Sequence, residues 1–295
     1  MNRFFKISIF TFGFTLIISS LSFTQSNSQS NLQLFPENYD FGVGLWNTIA
    51  ENFVEVSYGF GNLSHKKIKE NFNNVSLSEI KIGRRFTGPA GNYKILSFND
   101  SYLFSSYVTY NTITNENSTK INAELWRFGL GYRKGFGYNF AGSILFLHNQ
   151  FGFIWNKSSF NFNQFNLSEN SQTTLKKYDD IRFGTINSGG IDFKLMSFLG
   201  VGALYETTVI FPRHLFWKQA ASFFIELFSQ TGIDYFTEGV LLKSVPRITP
   251  IFYFLLKNGL SYFFYTLKQD KMNWPFNTET PLTTQAIKFN LNIFI

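Results

Sequence analysis

Ten charged residues share one phase of the alternating segments that run along this chain. Ion pairs, a polar pore lining or a small-ligand site are the kinds of chemistry that such a set supports when a sheet closes around it. Interlocked ion pairs are the simplest expectation, and a narrow selective pore or ligand site is the alternative. Six of the ten are basic and four acidic: Glu55, Glu79, Lys81, Arg85, Arg127, Arg133, Arg182, Asp192, Glu206 and Lys288.

Residues suited to catalysis are few and scattered. The three histidines are His65 in a polar loop, His148 at a strand end and His214 beside a proline. Ser143 and His148 are five positions apart, which places them on opposite faces of a strand, so they do not form a nucleophile–base pair. There is no cysteine, and no histidine has a nearby partner at metal-ligand spacing. The sequence therefore predicts a protein that is not an enzyme, with no catalytic residue, cofactor or metal.

The stretch from Glu124 to Phe146 shows most clearly which element carries the charges. Large apolar residues recur at every second position from Trp126 to Tyr132, with glycines and arginines between them. This period of two predicts a β-strand with an aromatic face and a small or charged face. We expect a turn at residues 133–137 and a return strand whose apolar face carries Tyr138, Phe140, Ile144 and Phe146. A closed barrel with aromatics outside and a β-sandwich both fit this hairpin.

Further segments repeat the pattern and predict an all-β fold of about eight to ten strands. Aromatic residues make up 20% of the 295 residues and charged residues only 15%, against about 25% charged in ordinary soluble domains. A weak strand begins at residue 41, and the last strand alternates up to the final residue. The remaining strand predictions cover residues 53–61, 78–86, 93–110, 181–193 and 196–209. Residues 93–110 form either one long strand or two short strands broken at Asn99-Asp100.

The N-terminus has the pattern of a secretory signal peptide, which we place at residues 1–26. Arg3 and Lys6 precede an almost wholly apolar run, and small residues follow it. An uncleaved anchor helix is the alternative, although twelve apolar residues are short for a bilayer. The predicted divisions after it are barrel strands at residues 27–210, a helical insertion at 211–272, and a return loop with the final strand at 273–295.

Residues 211–272 depart from the period of two and predict helices. After Pro212, a first helix carries Trp217, Phe224 and Phe228 on one side, with Ser222 and Glu226 on the other. Thr249 and Pro250 have the form of an N-cap and a first helical position. The segment 252–267 is then apolar on nearly all sides. We expect a helical subdomain that packs against, caps or plugs one end of the barrel; a pair of membrane helices is the alternative.

Three features together resemble the class of bacterial outer-membrane β-barrel proteins over residues 38–295: the signal peptide, the common strand phase, and the terminal strand with Phe294 in the penultimate position. The final residue is isoleucine, whereas that class usually ends in an aromatic residue. The resemblance implies an antiparallel transmembrane β-barrel in the outer membrane. Basic side chains that face lipid at mid-depth cost about 2–4 kcal/mol each, so their common phase favours an inward orientation.

The resemblance implies a function in the membrane and leaves its kind open. We expect a non-catalytic structural or accessory component, or a narrow transporter with a charged lumen. A soluble periplasmic β-rich binding protein and an outer-membrane lipid-modifying hydrolase are the alternatives. The expected partners are outer-membrane lipid and other envelope proteins that bind through the helical insertion. The lysines and arginines are dispersed along the chain, so nucleic acid is not an expected partner.

Overall fold

Eight antiparallel strands close into a barrel in which each strand pairs with the next and β8 pairs with β1. The structure is a computed structural model that describes residues 48–90, 95–110, 120–140, 142–161 and 167–295. The closed antiparallel barrel, the strand number within the expected range and the helical segment before the last strand confirm those predictions. The predicted signal peptide and the weak strand at residue 41 lie outside the described residues. The strands are β1 (Ile49–Ser64), β2 (Asn74–Pro89), β3 (Ile95–Tyr110), β4 (Asn122–Phe140), β5 (Ser143–Asn161), β6 (Arg182–Lys194), β7 (Leu199–Ile210) and β8 (Leu282–Phe294).

The two ends of the barrel differ in the length of their connections. At one end, here the short-turn end, β4 passes to β5 at residues 141–142 and β6 to β7 at residues 195–198. Gly142 takes a positive φ of 99° there, a conformation that glycine adopts without steric cost. The opposite, long-loop end carries the connection from β5 to β6, with helix α1 (Glu169–Lys176), and the insertion between β7 and β8.

The β4–β5 hairpin corrects the turn predicted at residues 133–137. Strand β4 continues to Phe140, and Arg133 pairs in register with Gln150. The glycines in this stretch serve close packing: a Cβ on Gly137 would lie 2.7 Å from the Phe146 ring. Because the turn falls later, Ile144 and Phe146 are buried in the lumen and do not share the outward face of Tyr138 and Phe140.

Burial alternates along the strands with the phase that the sequence predicts. In β1, Glu55 is fully buried, whereas the next residue, Val56, is 51% exposed. The charged phase therefore points into the barrel and the aliphatic and aromatic phase points outward. Strands β1–β4 show this most clearly, with Tyr58, Ile82 and Leu103 exposed on the outer wall.

The insertion after β7 forms a helical hairpin, residues 216–268, that lies on the outside of the barrel. Helix α2 (Phe216–Phe236) and helix α3 (Thr249–Lys268) are joined by a π-helical turn (Thr237–Leu241), a short α-helical turn (Leu242–Ser244) and a 3-10 turn (Pro246–Ile248). Among the described residues, neither of these helices nor any other is long and apolar enough to cross a membrane. The first helix begins four residues after Pro212, and Thr249 starts α3 without a side-chain cap.

The prediction that the helices lie at one end of the barrel, as a cap or plug, is wrong. At the short-turn end of the barrel, the Tyr138 hydroxyl donates to the Arg247 carbonyl, and toward the long-loop end Gln285 donates to the Tyr265 hydroxyl. Asn149, also in the outward phase, donates to Asn258 between these two points. The helical hairpin thus runs along the height of the wall over strands β4–β8.

Candidate functional site

Ten charged side chains form one connected network in the middle of the lumen. Each lies within 4.0 Å of at least one partner of opposite charge, and each is almost fully buried. Five are acidic and five basic, so the network is balanced in charge. Its members, here called the lumen network, are Glu55, Glu79, Lys81, Arg85, Asp100, Arg127, Arg133, Asp192, Glu206 and Lys288.

Arg133 connects three carboxylates that come from different strands. Its Nη2 lies 2.6 Å from Glu55 Oε2, and its Nη1 lies 3.2 Å from Asp192 Oδ2 and 3.4 Å from Asp100 Oδ2. Its Nε also donates to Gln150 at 3.2 Å. The planar guanidinium has donors in several directions, which suits a position that must bridge several acceptors at once.

A second group of contacts surrounds Lys288 on the last strand. The Lys288 ammonium donates to Glu206 and, at 2.6 Å, to Glu79. Arg127 lies on the other side of Glu206, at 3.0 Å. Lys81 lies 2.7 Å from Glu55 and 3.3 Å from Glu79, and it thereby joins this group to Arg133. Strands β1, β2, β4, β7 and β8 therefore meet through charges across the barrel interior.

Arg85 lies where the network meets the short-turn end. Its Nε and Nη2 each donate to Asp100 at 2.8 Å in a bidentate pair. Four phenylalanine rings surround the guanidinium, with centroids 4.5–5.9 Å from its carbon. Such contacts between a cation and ring faces are favourable, more so where water is excluded. The rings are Phe53, Phe98, Phe146 and Phe294.

Apolar layers cover the network at both ends. The phenylalanine rings around Arg85 fill the short-turn end, with Phe98 and Phe146 centroids 4.5 Å apart. Toward the long-loop end, a larger cluster includes Leu125, Ile154 and Leu282, all fully buried. Side chains therefore close over the charges from both ends, as is typical of barrels of eight strands. The site that the lumen forms is a packed ionic core.

Nine of the ten residues predicted as lumen charges belong to this network. The exception is Arg182, which lies at the long-loop rim and contacts Asp180 at 3.4 Å. Asp100 is the member that the sequence does not predict, because Asn99-Asp100 has the composition of a break between two short strands. Exchanging Arg182 for Asp100 turns the predicted excess of basic residues into an equal number of each sign. The alternation of β3 from Phe98 to Val108 is the signal that identifies Asp100 as inward.

The three histidines occupy three separate environments. His148 points into the lumen with its Nε2 3.3 Å from Asp192, whereas the Ser143 hydroxyl donates to the Leu195 carbonyl near the short turn. His65 packs edge-on against Tyr178, and the ring of His214 lies 6.3 Å from that of Phe183. Within the described ranges, no cluster of three or more His, Asp or Glu side chains has the geometry to hold a metal ion.

A second set of buried polar residues lies between the barrel and the helical hairpin. On the wall, Asn149 donates to Asn258 at 2.8 Å and to Ser261 at 3.1 Å, and Asn187 lies 3.4 Å from Glu226. Wall and helix polar groups thus satisfy one another. This contact, here called the outer seam, consists of Asn149, Asn187 and Gln285 on the strands and Glu226, Gln230, Asp234, Lys257, Asn258, Ser261, Tyr265 and Lys268 on the helices.

Two ion pairs hold the helices to each other within the outer seam. Lys268 of α3 donates to Glu226 of α2, and both side chains are almost fully buried. Lys257 lies 3.1 Å from Asp234, and its ammonium also donates to the Gln230 carbonyl. The two pairs are separate from each other. Asp234 also lies 3.6 Å from Lys134 of β4, whose ammonium lies 3.1 Å from Glu238.

One wall position accommodates the helices through its lack of a side chain. Gly189 points outward from β6, and a Cβ there would lie 2.4 Å from Asn258 Oδ1. In the sequence this glycine belongs to a Gly-Gly pair that gives no sign of a helix above it. The close approach of α3 to the barrel depends on the absence of a side chain at this point.

No protein-family model and no curated protein matches the sequence. Among solved structures, the fold is similar to one titled "Crystal structure of Neisserial surface protein A (NspA)", with 8% sequence identity and a TM-score of 0.37. The match covers 83% of this chain and 97% of that one. At these values the similarity carries no argument about function, which has to come from the site itself.

Proposed function

We propose that this protein is an integral β-barrel of the bacterial outer membrane with a non-catalytic, structural or accessory role. The observation that supports the proposal most strongly is the inversion of polarity across the wall. Charged residues occupy the interior in balanced pairs, whereas the exposed outer wall of β1–β4 carries aliphatic and aromatic side chains. A barrel in lipid has this distribution, since acyl chains replace water on the outside and strand closure leaves no unpaired edge.

The packed interior favours a structural or accessory role over transport. An ion crossing the lumen would have to displace the phenylalanine layer and separate the ion pairs of the lumen network. Both steps disturb well-packed groups, and breaking a buried ion pair strongly destabilises the protein. Catalysis is not part of the proposal. His148 contacts Asp192 inside the lumen, whereas the Ser143 hydroxyl lies on the outside of the barrel.

Membrane insertion is tested with a charge placed at mid-wall. Leu103 is 65% exposed at the centre of β3, and Leu103→Arg should lower the free energy of unfolding in lipid by about 2–4 kcal/mol. Asn170→Arg, on the exposed face of α1 beyond the barrel rim, is the matched control and should have little effect. Urea titrations of the full chain in lipid vesicles measure both. A soluble protein would tolerate Leu103→Arg as well as the control, and recovery in the soluble periplasmic fraction would also contradict the proposal.

Conductance across a planar bilayer separates the two roles. A structural or accessory barrel with a packed lumen should give no steady single-channel current at neutral pH. A defined and reproducible conductance from the folded protein would favour the narrow transporter. Heat-modifiable migration on gels should accompany either outcome if the barrel is folded.

A further inference from the structure

The exposed face of the helical hairpin is apolar, which reverses the usual arrangement of a surface helix. In α2, Glu226 is 3% exposed whereas Phe228, two residues later, is 71% exposed. In α3, Lys257 is buried whereas Leu255 is 58% exposed. A helix on a water-soluble protein buries its apolar stripe and exposes its charges. Here the polar stripe of both helices is buried in the outer seam.

Charged residues of the hairpin are confined to the outer seam and to the two ends. Between residues 219 and 235 of α2 the charged side chains are Glu226 and Asp234, and both pair with α3. Exposed charges occur at the turn between the helices, where Glu238, Lys243 and Arg247 lie. They occur again at the opposite end, where Lys218, Asp270 and Lys271 lie. The outward face between these two belts is free of charge among the described residues.

The wall beneath the hairpin is polar at positions where the free wall is apolar. Asn149, Asn187 and Gln285 occupy the outward phase of β5, β6 and β8, and each hydrogen-bonds to a helix side chain. Polar groups facing acyl chains without a partner are costly. The hairpin supplies those partners, so barrel and hairpin together present one apolar surface.

The height of the hairpin matches the thickness of a bilayer interior. Helices α2 and α3 contain 21 and 20 residues, which corresponds to roughly 30 Å each at the rise of an α-helix. Neither is apolar enough to cross a membrane by itself, because each carries a polar stripe, which the outer seam covers. The apolar band of outer-membrane barrels is about 25 Å tall. The charged belts at the two ends therefore have the separation expected of groups at the two water interfaces.

We propose that the helical hairpin lies within the bilayer against the barrel wall, and that its outward face binds the acyl chains of lipid. This inference rests on the proposed function, since it needs the barrel to be in a membrane. The continuity of the apolar surface from the free wall of β1–β4 onto α2 and α3 identifies lipid as the occupant. The hairpin is then a lateral extension of the membrane-embedded body, which seals a polar part of the wall.

Single-cysteine labelling tests the proposal, because the natural chain contains no cysteine. Phe228→Cys and Leu255→Cys report on the hairpin, Leu103→Cys on the free wall, and Lys243→Cys on the exposed turn between the helices. Each full-length variant is folded into phosphatidylcholine vesicles and carries a nitroxide spin label. Power-saturation measurements then compare collisions of the label with oxygen, which concentrates in lipid, and with a water-soluble nickel chelate.

The expected result is that labels at residues 228 and 255 behave like the label at residue 103, with oxygen contact at least several-fold above nickel contact. The label at residue 243 should show the opposite preference. Nickel contact at 228 and 255 with oxygen contact at 103 would overturn this inference and leave the membrane barrel standing. Nickel contact at all four sites would overturn the proposed function itself. Exclusion of both reagents from 228 and 255 would overturn the lipid assignment in favour of a second copy of the chain.

Discussion

The lumen and the outer seam both bury charged residues, yet they do so with different connectivity. In the lumen, Arg133 contacts three carboxylates, and each of those carboxylates contacts a further cation. In the seam, Glu226 pairs with Lys268, and Asp234 lies near both Lys257 and Lys134, as two separate groups. Removing one member of a network leaves several groups uncompensated, whereas removing one member of a pair leaves a single group. The barrel interior is therefore one connected unit, whereas the hairpin is held by two smaller, independent groups of contacts.

Loss of Arg133 should produce the largest effect. Arg133→Met leaves Glu55, Asp100 and Asp192 short of a cation, and removing one partner of a buried pair costs about 3–5 kcal/mol even for a single pair. We expect the variant to fail to reach the heat-modifiable folded form or to unfold at much lower urea concentration. The double variant with Glu55→Gln should recover only part of the loss, because two carboxylates remain. Full recovery in the double variant would contradict a connected network. Lys66→Met, at the exposed pair with Asp270, is the control and should cost no more than about 1 kcal/mol.

Loss of one seam partner should be smaller and should be reversible by a second change. Lys268→Met leaves Glu226 buried without its cation, at a cost of about 3 kcal/mol. Adding Glu226→Gln should recover most of that stability, because Asn187 and the new amide can still hydrogen-bond. A double-mutant cycle from urea titrations in lipid measures the coupling. If the double variant is as unstable as Lys268→Met, then the seam is a network like the lumen and the contrast is wrong.

A side chain at Gly189 should separate the hairpin from the wall while sparing the barrel. Gly189→Leu places atoms where Asn258 lies, and overpacking of this kind costs about 1–3 kcal/mol. The expected result is faster proteolysis at the turn between α2 and α3, with heat-modifiable migration retained. Ile191→Phe, two residues along the same outward phase and already exposed, is the matched control and should leave proteolysis unchanged. Loss of the folded barrel in Gly189→Leu would show that hairpin and barrel fold as one unit.

The smallest effect should be a pH dependence of stability that comes from His65, which lies outside both the lumen and the outer seam. Burial lowers the pKa of His65 to about 4, so the folded protein keeps this loop histidine neutral at pH values where the unfolded chain, with a pKa near 6.5, takes up a proton. The stability that it contributes is present above pH 6.5 and is lost as the pH falls from 6.5 toward 4. At pH 5.5 the loss should be about 1 kcal/mol relative to pH 7.5.

The variant His65→Gln should remove that component from the pH profile of urea unfolding. Asn170→Gln, at an exposed position in α1 and without any titratable group, should leave the profile as it is. An identical pH profile in the natural chain and His65→Gln would show that the loop opens independently of the barrel.

The alternation of residue types determined which side chains of each strand share a face, and together with the common phase of the charges it favoured a barrel over a sandwich. Because strand side chains point to opposite faces in turn, the phase of Trp126 and Phe128 already assigned Arg127 to the other face. The same rule assigned Glu55, Lys81 and Lys288 without knowledge of their partners. The sequence also determined that a helical segment precedes the last strand, since its period departs from two.

Only the tertiary structure decided which charges meet and where the helices lie. The equal number of acidic and basic residues in the lumen depends on Asp100. The sequence does not show that Asp100 points inward when Asn99-Asp100 is interpreted as a break in the strand. The site of the β4–β5 turn depended on ring packing against Gly135 and Gly137, since composition alone marks both as turn residues. An amphipathic pattern in α2 gives two faces but does not say which of them is buried, because that depends on whether the surroundings are water or a polar wall. Asn149, Asn187 and Gly189 settle the orientation, since they come together with Glu226 and Asn258 when the barrel closes.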